Sequence, residues 1–120
     1  MKKLAVVLAL GLAAGCAERP SMHVAEDVVA EGGRVRVSFD RPIQGRAVDQ
    51  YWLVLAPEGS PDDVSDERVF VYRGDLAASI DARRPGRYEL RLHGSFPRKP
   101  HDVVDRRVVV VAPKTVARSD

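Results

Sequence analysis

The chain has 120 residues, with 19 Lys+Arg against 17 Asp+Glu, one cysteine and one tryptophan. That length suits a single domain with its own core and is too short for two. Lys2 and Lys3 are the only charges among the first fifteen residues, so residues 16–120 carry 17 bases and 17 acids. A neutral body lacks the long-range positive field that nucleic-acid binding requires, and a lone cysteine excludes an internal disulfide.

In chain order, the first feature is Met1-Lys2-Lys3, an apolar run from Leu4 to Ala14, then Gly15 and Cys16. Two cations, a hydrophobic stretch too short to span a bilayer and small residues before cysteine form a secretory signal. Leu12-Ala13-Ala14-Gly15-Cys16 resembles the lipobox of bacterial lipoproteins, with Ala13 where many of them have leucine. The resemblance implies removal of residues 1–15, a diacylglycerol on Cys16 and palmitate-type acyl chains as a membrane anchor. Two or three such chains hold a protein stably, at about 0.8 kcal/mol per buried methylene. Ala17 in place of aspartate resembles the pattern of lipoproteins sorted to the outer membrane of cells with two membranes. Residues 16–21, polar and with Pro20, read as the lipidated cysteine and its tether. Residues 22–113 are the expected domain, and 114–120 read as a flexible tail after Pro113.

Within the domain the period is two. Arg34-Val35-Arg36-Val37-Ser38-Phe39-Asp40 puts Val35, Val37 and Phe39 on one sheet face. Over residues 87–93, Tyr88, Leu90 and Leu92 point inward, leaving Arg87, Glu89, Arg91 and His93 for solvent. Further strand-like runs at 23–30, 50–56, 67–73, 76–81 and 103–112 give about seven strands, separated by turn signals such as Gly32-Gly33, Arg73-Gly74-Asp75 and Pro85-Gly86. The expectation is an all-β, immunoglobulin-like antiparallel sandwich. Trp52 in the third run is expected between the sheets, and Tyr88 after Pro85-Gly86 is expected to form a tyrosine corner. Leu90 stands two residues later, where antibody domains place cysteine, so Trp52, Tyr88, Phe39 and Leu90 form the expected core. A core Trp52→Ala substitution would cost about 3–5 kcal/mol.

Residues 27–33 with Val35 and Val37, residues 51–62, and residues 84–91 together resemble the β-sandwich modules beside von Willebrand A domains in bacterial surface proteins. The resemblance spans at most residues 24–93 and rests on strand and turn signals; it implies a noncatalytic accessory. The Asp-x-Ser-x-Ser adhesion motif of the A domain is not matched, because Asp63-Val64-Ser65-Asp66-Glu67 breaks it at its last position.

No nucleophile elbow, P-loop, dinucleotide fingerprint, H-E-x-x-H or paired-cysteine motif occurs, and no cofactor or enzymatic activity is expected. Ser95 with His93 or His101 and Asp102 can be written as a triad, but nothing in their spacing orients them. The alternative function is a periplasmic copper or zinc sandwich using His23, His93 and His101, with Met22, Asp102 and Asp105 nearby. Arg98 and Lys99 would then bring cations to the metal. Asp62, Asp63, Asp66 and Glu67 lack the spacing of a calcium cage.

Arginines outnumber lysines fifteen to four, with Arg34, Arg36, Arg87 and Arg91 on outward phases. They read first as a soluble sheet surface paired across strands, and otherwise as a grip for an envelope protein, an acidic polysaccharide or lipid head groups. The expected function is a noncatalytic binding module, lipid-anchored to the cell envelope.

Overall fold

The computed structural model describes residues 19–44, 51–95, 99 and 101–114. Cys16, the signal segment and residues 115–120 lie outside them. Eight strands are described: β1 (Met22–Val24), β2 (Val28–Ala30), β3 (Arg34–Phe39), β4 (Tyr51–Pro57), β5 (Glu67–Val71), β6 (Ala77–Asp81), β7 (Gly86–His93) and β8 (Val103–Ala112). They form a three-stranded sheet in the order β1-β3-β6 and a five-stranded sheet in the order β2-β8-β7-β4-β5. No helix is present among the described residues. The third and sixth strands share one sheet while the fourth, seventh and eighth share the other, the connectivity of an immunoglobulin-like sandwich.

The alternating residues of β3 and β7 close the sandwich. Val35, Val37 and Phe39 meet Leu90, Leu92 and Tyr88 in a core completed by Leu53, Leu55, Ile80, Val109 and Val111. Burying each leucine or valine stabilises the fold by about 1.5–3 kcal/mol. The Tyr88 hydroxyl donates to the carbonyl of Arg84 at 3.0 Å, the hydrogen bond of a tyrosine corner. Leu90 is fully buried two residues on, so apolar packing fills the place of a disulfide.

Four expectations need correction. The run at 23–30 is two strands, because the chain crosses between sheets at residues 25–27 without reversing. β1 pairs antiparallel with β3, whereas β2 lies parallel to β8, so the sandwich has one parallel ladder. Trp52 lies outside the core and is partly exposed. Leu53 and Leu55 occupy the inter-sheet phase of β4, which turns Trp52, Val54 and Ala56 onto the outer face. Arg91 and His93 follow the outer phase of β7 as expected, yet both are fully buried. The β4–β5 loop folds back over that face, and Arg91 reaches up into its carbonyls.

Candidate functional site

Of the residues singled out in the sequence, Cys16 falls outside the described residues. The three histidines are described and are not gathered. His23 is exposed on β1, His93 is buried on β7, and His101 is exposed and 3.3 Å from Asp62. Among the described residues no group of three metal-ligating side chains is placed to hold an ion. Ser95 donates to Asp102 at 3.3 Å, so its hydroxyl is held by the carboxylate itself and not by an imidazole.

Much of the outer face of the five-stranded sheet is a closed ionic lattice. The Arg91 guanidinium donates to Glu89 at 2.9 Å, to the carbonyl of Pro61 at 2.8 Å and to the carbonyl of Ser60 at 2.6 Å. Arg106 bridges Asp62 at 2.9 Å and Glu89 at 3.3 Å. Burial works to raise the Asp62 pKa, but the hydrogen bonds from Arg106 and His101 outweigh it and hold the carboxyl below its ordinary value. The same environment acts on His93. Burial first, and the neighbouring Arg91 charge second, lower its pKa from 6.5 to about 4, so the ring is neutral at pH 7. The lattice fastens the β4–β5 loop to the sheet; it is built as a clamp.

Other surface arginines pair across strands. Arg34 meets Asp81 at 2.8 Å across the β3–β6 ladder, and Arg87 meets Glu58 at 2.7 Å. Such exposed pairs contribute about 0–1 kcal/mol each. At the end of β4 and β5 nearest that loop, a pocket of about 220 Å³ is lined by Leu55, Ser65, Asp66, Glu67, Arg83, Arg84 and Tyr88. Here Arg83 pairs with Glu67 at 2.8 Å. Neither Arg84 nor Asp66 has an ion-pair partner among the described residues. No local pattern marks this pocket, whose residues come from three separate stretches; the one local signal is the doublet Arg83-Arg84 before the Pro85-Gly86 turn.

The opposite end of the sandwich receives the chain from residue 19. Arg19 bridges Asp102 at 2.7 Å, which holds the Asp102 carboxyl below its ordinary pKa. The backbone N–H of Ser21 donates to Asp40 at 2.8 Å and that of Met22 to Asp105 at 2.7 Å. At the start of β4, Arg68 lies 5.6 Å from the Trp52 ring centre, and Trp52, Phe70 and Tyr72 make successive edge-to-face contacts at 5.4 and 4.5 Å. No protein-family model matches the chain, and no curated protein matches it in sequence.

Proposed function

We propose that this protein is a lipid-anchored, noncatalytic module of a bacterial cell envelope. It is tethered through Cys16 in the outer membrane and offers the pocket end of its sandwich to an envelope protein. The observation that supports the docking surface is the pocket itself, lined by a guanidinium and a carboxylate, Arg84 and Asp66, that have no ion-pair partner among the described residues. At about 220 Å³ it is smaller than the roughly 300–1,000 Å³ typical of small-molecule sites and suits one side chain of a partner. Its balanced charges favour a protein over an acidic polysaccharide. The lipobox resemblance supports the anchor, and the resemblance to von Willebrand A-associated modules agrees with a noncatalytic role.

Two measurements test this. Mass spectrometry of the protein purified from its host should give a chain beginning at a diacylated Cys16; an unmodified thiol on a chain starting at Met1 removes the anchor. A photo-crosslinking phenylalanine at position 84 should capture a discrete protein on intact cells. The same group at position 36, exposed on the three-stranded sheet, should not. Equal capture at both positions, or none at 84, overturns the docking surface.

A further inference from the structure

The tether fixes how the sandwich stands on its membrane. Arg19 is bound into the fold through Asp102, and Cys16 lies only three residues upstream. Three extended residues reach at most about 11 Å. A lipid on Cys16 therefore holds the membrane within that distance of one particular end of the sandwich. Ladder registers identify the segments sharing that end. Met22 pairs with Phe39, Ala77 with Ser38, Tyr51 with Val71 and Trp52 with His93. The β5–β6 turn sits beside the tether: Ser21 bonds to Asp40, and the preceding Phe39 donates to the carbonyl of Leu76 at 2.9 Å.

The composition of this end is unusual for a surface left to water. Of the four large apolar residues exposed among those described, Tyr72 at 63% and Leu76 at 55% both flank this one turn. Between them Arg73 is exposed and has no ion-pair partner among the described residues, and the same holds for Lys99 across the end. Tyr72 continues into the aromatic series through Phe70 to Trp52. Amphipathic aromatic rings with adjacent cations are the residue types that settle at the headgroup level of a bilayer.

We infer that the tether end of the sandwich lies against the membrane, with Tyr72 and Leu76 in the headgroup layer and Arg73 and Lys99 on the phosphates of anionic lipids. This rests on the proposed lipidation of Cys16. The lipid supplies the anchor, and the end face supplies the orientation. Each cation near an anionic surface strengthens contact about fivefold.

The test uses the full lipidated protein in vesicles of phosphatidylethanolamine and phosphatidylglycerol that carry a headgroup-proximal nitroxide lipid. An environment-sensitive fluorophore is placed through Leu76→Cys, or through Arg84→Cys at the opposite end. Nitroxide quenching should be at least about threefold stronger at 76 than at 84, and Arg73→Glu should reduce it about threefold in these vesicles but not in zwitterionic ones. An unchanged melting temperature for Arg73→Glu keeps that comparison free of unfolding. Equal quenching at the two ends on a protein whose mass shows a lipidated Cys16 overturns the orientation and leaves the anchor standing. A mass without lipid overturns both. Shielding of the Leu76 label that follows protein concentration instead of the lipid quencher assigns the face to a second copy and also overturns the inference.

Discussion

Replacing His93 by glutamine should flatten the acid side of the stability profile. In the fold the ring is buried beside Arg91, faces the charges of Arg106, Asp62 and Asp102, and takes a proton only near pH 4, against 6.5 in the unfolded chain. Below pH 6.5 the unfolded state therefore binds a proton that the native state refuses. Stability falls as pH drops from about 6.5 to about 4, with a limiting slope of about 1.4 kcal/mol per pH unit. Across that window the loss amounts to about 3 kcal/mol, a large share of the stability of a small domain. Above pH 7 the ring is neutral in both states and no longer makes stability depend on pH. The carboxyls of Asp62 and Asp102 act in a separate window, because their pKa values lie below the ordinary carboxylate value; their contribution is present above that value and is lost as pH falls through the depressed one. Urea titrations of residues 17–120 at closely spaced pH values, with and without His93→Gln, isolate the contribution of the histidine. Parallel profiles between pH 7 and pH 4.5 for the two proteins, or an NMR titration of His93 centred near 6.5, would show that the buried ring is not the source of the acid-side loss.

Three further substitutions probe the same architecture. Arg91→Met should lower stability by about 3–5 kcal/mol in urea unfolding, since the carbonyls of Ser60 and Pro61 lose a buried charged donor. It should also release the β4–β5 loop, read as faster amide exchange there. Trp52→Ala should cost only about 1–2 kcal/mol, the value of one aromatic contact and one arginine stack, and not the 3–5 kcal/mol of an emptied core site; a larger loss would return Trp52 to the core. In Gly94→Ala the new Cβ would fall 2.7 Å from the Asp102 carboxylate and 3.2 Å from the Arg19 guanidinium. That change should cost about 1–2 kcal/mol and should cost much less in an Asp102→Ala background, which a double-mutant cycle measures.

β3 and β7 were legible as strands with a buried face because polar and apolar residues alternate cleanly in them, and the turn before Tyr88 announced its corner. β4 was illegible in phase. Tyr51 to Ala56 is apolar on both faces, so nothing local decides whether Trp52 or Leu53 faces the other sheet. The burial of Arg91 and His93 could not be read from β7 either, because what covers them is a loop thirty residues away in sequence. A charged residue on the outer phase of a strand looks solvated until a tertiary contact is known. Residues 25–27 likewise carry no signal for a change of sheet: the alternation simply pauses. The pocket and the tether contact join residues far apart, Leu55 with Arg84 and Arg19 with Asp102, and such pairings lie beyond local pattern.

The proposed lipid on Cys16 would make the two ends of the sandwich chemically distinct. β7 runs eight residues from the pocket end to the tether end, about 26 Å at the usual strand rise. The screening length at physiological salt is about 8 Å. Arg73 and Lys99 at the near end would feel the negative surface potential in full, whereas Arg84 and Asp66 would lie about three screening lengths beyond it. Recognition at the pocket would then depend on the partner's own charges and not on lipid composition. The same partner affinity in anionic and zwitterionic vesicles, alongside a lipid-dependent orientation, is the combination the proposed anchor predicts, because only the near end would then lie within reach of the membrane field.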